Sequence, residues 1–244
     1  SGLGIRRSGE IHMNLERVKD HFEEDASDYD NHILRFIPYY REQNEVILDL
    51  LPFEKTERIR GLDLGAGTGV LAEGILRRYP LAEVTVFDLA DNMLSAAQER
   101  LRKFEPRVAF RKGDFSKDPF GVGYDLILSG LSIHHLGDPQ KRELYLRIFL
   151  ALNPGGMFLN RDVIRGATGR LDKMYLRLWR AYIRSMGEDD AACLERYFAE
   201  DIPATVEDQL EWLRKAGFVD VGCHWQRINF AIFGGNKFSS EKNL

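Results

Sequence analysis

Residues 63–69 read Asp63-Leu64-Gly65-Ala66-Gly67-Thr68-Gly69, behind the apolar stretch Ile59–Leu64 and ahead of the helix-like run Val70–Leu76. A short strand, a glycine turn and a helix start are arranged here as a ligand cradle. Glycine tolerates positive φ and lets a ligand approach the backbone. The first turn of the helix offers unpaired N–H groups. A nucleotide-like molecule is the natural occupant. Further polar groups recur downstream at similar punctuation points. Asp88 follows Gly69 by 19 residues and can accept hydrogen bonds from both hydroxyls of a ribose. Leu89 and Met93 would give apolar contact to a base. In Gly113-Asp114-Phe115 the carboxylate suits an exocyclic amine, and the phenyl ring adds apolar surface. The plainer alternative for each aspartate is a helix cap or a loop residue. Ser129-Gly130-Leu131-Ser132-Ile133-His134-His135 then adds hydroxyls and two imidazoles that titrate near neutral pH.

These groups need a scaffold that brings them to one edge, and the chain predicts one. Strand-like segments are expected at Ile59–Leu64, Glu83–Phe87, Arg107–Arg111, Tyr124–Leu128 and Gly156–Asn160. They alternate with helices over Val70–Tyr79, Asp91–Phe104 (Asp91 as N-cap) and Pro139–Leu152. Such alternation predicts a parallel sheet with helices on both faces, with ligands at the carboxyl ends of the strands. Residues 14–51 read as helical with an interruption at Pro38. Residues 165–201 hold two helix-like stretches and no strand. A helix over Thr205–Ala216, stopped by Gly217, leads into Phe218–Trp225 and Arg227–Phe233, joined too tightly for a crossover and so antiparallel. The expected organisation is a leader at 1–12 ahead of a native start at Met13, a helical cap at 13–52, a ligand-binding core at 53–164, a helical lid at 165–201 and a closing helix and hairpin at 202–236.

The spacing Asp63-x-Gly65-x-Gly67-x-Gly69 is not the G-x-G-x-x-G of dinucleotide folds. It resembles motif I of the class I S-adenosylmethionine (SAM) methyltransferases. Asn153-Pro154-Gly155-Gly156 resembles the turn before the fifth strand of that family. The resemblance implies an α/β, Rossmann-like fold: a seven-stranded, mostly parallel sheet with an antiparallel C-terminal hairpin. It implies S-adenosyl-L-methionine as cofactor and S-adenosyl-L-homocysteine as product. Around the cofactor it would place Asp63, Gly65, Ala66, Gly67, Gly69, Asp88, Leu89, Met93, Asp114, Phe115 and Ser129. A closer resemblance joins Arg35–Tyr40, Leu213–Phe218 and Trp225–Phe230 to bacterial carboxy-SAM synthases, which make the carboxymethyl donor of tRNA wobble-uridine modification. By it Tyr40 would close over the cofactor, and Arg196 would stand where an arginine reads the extra carboxylate. Two departures separate the chain from that group. Gly65-Ala66-Gly67 replaces a cysteine-containing turn, and Ser129, with the His134-His135 pair behind it, replaces an asparagine. The expectation is a relative of that group that is an ordinary methyltransferase acting on a small molecule. A carboxy-SAM synthase-like enzyme and a SAM-binding protein without turnover are the alternatives.

Methyl transfer from a sulfonium is an in-line displacement, so the protein mainly aligns the nucleophile and excludes water. A base is needed when the acceptor arrives protonated, and His134 or His135 is placed to serve. Otherwise one packs into the loop and the other is solvated. A metal centre from His134, His135 and Asp138 is disfavoured because adjacent side chains often point apart, and none is expected. The absence of [DN]-P-P-[YFW] and of Pro-Cys disfavours base-flipping chemistry on nucleic acid. Net charge is −4, so no global field favours RNA. Two distant cysteines fit a reducing, cytoplasmic setting, and no apolar run is long enough to span a bilayer. Leu171, Met174, Tyr175, Leu178, Trp179, Tyr182, Ile183 and Met186 form an apolar helical stripe beside Arg170, Lys173, Arg177, Arg180 and Arg184. A lid helix, an acidic or RNA partner, or a homodimer contact would each use it. Tyr29, Tyr39, Tyr175 and Trp179 are expected to shape the acceptor pocket.

Overall fold

A computed structural model describes residues 29–239, apart from the side chains of Tyr29 and Asn31. The leader and native start expected around residues 1–13 lie outside the described residues. Seven strands form one sheet: β1 (Arg60–Leu64), β2 (Glu83–Asp88), β3 (Val108–Lys112), β4 (Tyr124–Gly130), β5 (Leu152–Val163), β6 (Val219–Arg227) and β7 (Phe230–Asn236). Their order is β3-β2-β1-β4-β5-β7-β6. The first five are parallel, and β7 runs antiparallel to both β5 and β6. Strand order reverses between β1 and β4, which makes their carboxyl ends the topological switch point.

The helices are α1 (Tyr29–Phe36), α2 (Tyr40–Asp49), α3 (Val70–Arg78), α4 (Asp91–Leu101), α5 (Asp138–Ala151), α6 (Gly169–Ser185), α7 (Asp190–Glu200) and α8 (Val206–Ala216). Two apolar cores sandwich the sheet. One holds Ile47, Ile75 and Ala97 from α2, α3 and α4 against Val86, Leu126 and Leu128. The other holds Tyr145, Ile148 and Leu213 from α5 and α8 against Leu62, Ile127 and Phe158. A third, smaller cluster joins Ile33 and Ile37 to Trp179, Ile183 and Tyr197, tying α1 to α6 and α7.

Local chemistry explains most boundaries. Thr168, Asp189 and Thr205 cap α6, α7 and α8 by accepting from backbone N–H groups, and Gly217 ends α8 at φ 109°. Pro38 separates α1 from α2, and its carbonyl accepts from Gln43 Nε2 at 2.8 Å. Asp91 does not cap α4: it is the first helical residue, Ala90 is the cap, and the Asp91 side chain pairs with Lys112 at 2.5 Å. Strand β5 is longer than its apolar core because Asn160, Arg161 and Asp162 continue it while fully buried.

On α6 the apolar stripe is wider than the buried face. Trp179 and Ile183 are inside, whereas Met174, Leu178 and Met186 face out. The helix is bolted to α1 through Trp179 Nε1 donating to the Phe36 carbonyl and Tyr182 Oη donating to the Leu34 carbonyl, each at 2.7 Å. Arg180 and Arg184 both pair with Asp190 on α7, so the basic face is partly spent inside the insertion. No helix among the described residues is long and apolar enough to cross a membrane.

Candidate active site

The glycine turn sits at the switch point. Gly65 and Ala66 donate to the Phe87 carbonyl at 2.8 and 3.2 Å, which pins the turn to the end of β2. Gly65, Gly67 and Gly69 all have positive φ. A side chain at Gly65 would lie 2.4 Å from Ser132 Oγ, so the close approach of the β4 loop requires glycine. At Gly67 a Cβ would meet nothing within 4 Å, because this residue faces a cavity.

That cavity is walled by the turn, by Asp88, Leu89, Ala90 and Met93 after β2, by Asp114 and Phe115 after β3, and by Gly130–Ser132 after β4. Tyr40 and Ile33 cover it from α2 and α1. Of the positions expected around the cofactor, Tyr40, Asp63, Gly65, Ala66, Gly67, Asp88, Leu89, Met93, Asp114 and Phe115 line it. Gly69 and Ser129 stand behind the wall. Gly69 caps α3 and packs against Ala97 and Leu101. The Ser129 side chain, expected around the cofactor, does not line the cavity. It is fully buried and donates to the Leu64 carbonyl at 2.8 Å, and Ser132, three residues on, reaches the cavity in its place.

The electrostatics of the cavity suit a polar, cationic nucleoside. Asp88 Oδ2 accepts from Gly67 N at 2.7 Å and Oδ1 from Ala90 N at 2.9 Å. Burial pushes its carboxyl up, against the pull of those N–H groups. Asp63 is 1% exposed, and one oxygen accepts from Ala72 N at 3.1 Å while the other has no partner. Burial raises its carboxyl to about 7, opposed by the Ala72 N–H and by the nearby Arg161. An open glycine, a ribose-height carboxylate and an unpartnered carboxylate oxygen form a cradle that fits SAM. In it Asp88 would hold the ribose, Asp114 the adenine amine and Asp63 the amino-acid end.

A second cavity of about 310 Å³ adjoins the first and shares Ile33, Leu131 and His135 with it. Phe36, Ile37, Val163, Trp179, Cys193 and Tyr197 supply its apolar wall, and His134, Arg196 and Asp201 are among its polar groups. Of the residues expected in an acceptor pocket, Trp179 and Arg196 are here. Tyr39 is instead 41% exposed under the Arg227 guanidinium, and Tyr175 bonds Gln226 at 3.3 Å. Tyr29's side chain lies outside the described residues.

His134 and His135 are both buried. His134 Nδ1 bonds the Asp162 carboxylate, while its Nε2 lies 3.5 Å from Asp201 Oδ1. His135 Nδ1 lies 3.1 Å from the same oxygen. Burial opposes protonation of His134, but Asp201 and Asp162 outweigh it and its pKa is raised. His134, His135 and Asp201 offer three donor atoms within 4.8 Å of one another. Asp138, the third partner weighed from sequence, points instead toward Lys141 at 3.8 Å. Sequence reading missed Asp162, Asp201 and Arg161. The available signal for two of them was the run Asn160-Arg161-Asp162 inside an otherwise apolar strand, since buried charges are rare without a task.

Residues 62–156 match the model of a methyltransferase domain. A carboxy-S-adenosyl-L-methionine synthase from Nitratiruptor sp. is 26% identical over 223 residues, which is 90% of this chain and 93% of that protein. Human acetylserotonin O-methyltransferase is 35% identical over 97 residues, covering 40% of this chain and 28% of that one. A solved structure of human N-acetylserotonin methyltransferase in complex with SAM superposes with a TM-score of 0.63 at 20% identity, over 94% of this chain. The chain spans 59% of that solved protein, less than two thirds of its length. The core from β1 to the start of β5 is thus a methyltransferase domain built on the class I fold, the chain is similar over about nine tenths of its length to carboxy-SAM synthases, and these likenesses support S-adenosyl-L-methionine as its cofactor.

Proposed function

We propose that the protein moves the methyl group of SAM to a small-molecule acceptor bound in the cavity under α1, α6 and α7. The observation that supports this reading is the shared wall of Ile33, Leu131 and His135: an acceptor bound in the second cavity would lie directly beside a donor in the first. The volume of about 310 Å³ suits a small molecule, and its aromatic lining would exclude water from the transfer. Bound SAM supplies an electrophilic methyl group on a sulfonium. His134 is the base: it lines the cavity, Asp162 fixes the ring through Nδ1, and Nε2, 3.5 Å from Asp201 Oδ1, takes the acceptor's proton. His135 borders both cavities and would orient the nucleophile between them. The chain's likeness to proteins named as O-methyltransferases supports oxygen as the acceptor atom. A cytoplasmic location fits the two free cysteines.

A second reading rests on one specific observation: relatives that match about 90% of this chain are named carboxy-SAM synthases. Arg196 in the second cavity is compatible with a carboxylated ligand there. Two measurements separate the readings. S-adenosylhomocysteine release over a panel of phenols, carboxylic acids and amines supports methyl transfer. Mass spectrometry of the nucleoside that copurifies supports the synthase if it finds a carboxylated adduct, and that result, with no turnover on the panel, refutes the first reading.

A further inference from the structure

Lys141 is a buried ammonium that the methyl-transfer step does not touch. It stands in the first turn of α5 and is 0% exposed. This is a poor place for a cation twice over: burial strips its water, and the positive end of the helix dipole repels it. Its contacts show what holds it there. Nζ donates to the Leu136 carbonyl, at the end of the loop that carries His134 and His135, and to the Ile202 carbonyl, one residue beyond Asp201. The Ile202 N–H donates in turn to the His134 carbonyl at 2.8 Å. The ammonium thus fastens the Asp201 loop to the histidine loop. Its ion-pair partner among the described residues is Asp138, with Oδ1 at 3.8 Å.

The charges around the two loops explain why a cation belongs here. Asp162 faces the His134 ring from β5, and Asp201 faces it from the loop after α7. His135 adjoins the same Asp201 oxygen at 3.1 Å, and Tyr145 on α5 lies near Asp162. Arg165, beyond β5, is near Lys141 but pairs with Asp208 at 3.6 Å. Without Lys141 the imidazole would be left as the cation of both carboxylates, and a ring held as imidazolium takes no proton. Burial brings the ammonium down to about 8, opposed by Asp138, Asp162 and Asp201, so it stays charged at neutral pH. There it opposes the charge of His134 and favours that of Asp201. We propose that Lys141 is a positioning residue for the base: it ties Asp201 to the His134 ring and, as the second cation of the cluster, leaves that ring free to accept a proton at neutral pH. The inference rests on the reading of His134 as the base.

Titration of His134 by NMR, in protein carrying carbon-labelled histidine, tests it; the signal missing from His134→Gln gives the assignment. Lys141→Gln removes the charge and keeps a donor for the two carbonyls, whereas Lys141→Met removes both. In each the His134 titration should rise by about half to one pH unit, about three- to tenfold in proton affinity. Asp201→Asn should lower it. Lys141→Met combined with Asp201→Asn removes one charge of each sign and should return it toward the wild-type position. Affinity for S-adenosylhomocysteine within about twofold of wild type reports that each variant is folded. A titration that stays in place or falls in the folded Lys141 variants overturns the proposal, because a lysine that only braces two loops does not raise it. Turnover tells the two readings apart. An acid limb that persists in His134→Gln overturns the assignment of the base, and this inference with it. A limb that disappears there but stays in place in Lys141→Gln overturns this inference alone.

Discussion

Replacing Asp63 by asparagine should make the ligand-free protein more stable at neutral pH, although it removes a carboxylate from the heart of the site. Burial holds this acid at about 7, against 3.8 in an ordinary setting. The folded state therefore binds a proton that the unfolded chain releases near pH 4. Stability from such a group is fully present below the unfolded value and is lost as pH rises through the folded one. At about 1.4 kcal/mol per pH unit, the interval from pH 5 to pH 7 removes about 3 kcal/mol from the wild type, and the loss levels off above that. Asparagine has the same shape, keeps an oxygen to accept from the Ala72 N–H, and has no charge to desolvate. All other titrating groups are common to both proteins, so the difference between the two pH curves isolates Asp63. For a chain of this size 3 kcal/mol corresponds to about 6–12 °C in melting temperature. Melting curves of both proteins from pH 4.5 to 8.5, without ligand, should start together and then diverge, with the wild type falling. Parallel curves would refute the claim that burial, only partly relieved by Arg161, sets the state of this carboxyl. Saturating SAM should narrow the gap, because an ammonium beside Asp63 favours its charged form.

Asp88→Ala should weaken S-adenosylhomocysteine binding by about tenfold or more, the value of a buried hydrogen bond to a charged group, read by calorimetry. It should also loosen the glycine turn, whose Gly67 N–H it now holds at 2.7 Å. Gly65→Ala should lose cofactor binding and cost stability together, since φ is 68° and the new methyl would collide with Ser132; an alanine variant with native melting and affinity would contradict that geometry. His134→Gln should lower turnover by about 10²–10⁴-fold with SAM affinity retained, the usual yield of a positioned base. Because Asp201 and Asp162 raise the His134 pKa, the neutral ring that accepts a proton is populated at higher pH than in an ordinary histidine. The acid limb of kcat/KM should therefore lie above the ordinary histidine range, and Asp162→Asn should move it down. A limb that stays in place in Asp162→Asn would remove His134 from the role of base.

The cofactor side of the site was legible in the sequence because each of its groups sits at a punctuation point of a repeating unit. A strand must end where its apolar run ends, and in a parallel sheet all such ends lie on one edge. Asp63, Asp88 and Asp114 could thus be assigned to one cavity without knowing any long-range contact. Ser129 misled because the same logic places a residue at the edge without saying which way it turns. Strand period sends its hydroxyl to the Leu64 carbonyl, and the loop carries Ser132 round instead. The acceptor side was not legible, because it is assembled from α1, α6, α7 and the loop after α7, whose positions follow from tertiary packing alone. Met174 and Leu178 share a helical stripe with Trp179, yet only the tryptophan turns inward, because a stripe wider than the neighbouring surface leaves its margin in water. Asp201 meets His134 and His135 from 66 residues along the chain or more, a distance over which no periodicity carries information. The middle of β5 lies between these cases. Asn160 and Asp162 turn to one face, where Asn160 Nδ2 donates to Asp162 Oδ2 at 3.1 Å and Asp162 holds His134, while Arg161 turns to the other and enters the cofactor cavity. One strand segment thus supplies Arg161 to the cofactor cavity and, on its other face, Asp162 to the His134 ring that lines the second cavity, as its period of two requires. A single substitution in this triplet should consequently act on one side only: Arg161 variants on cofactor affinity, Asp162 variants on the pH profile of turnover. Each assay is the internal control for the other.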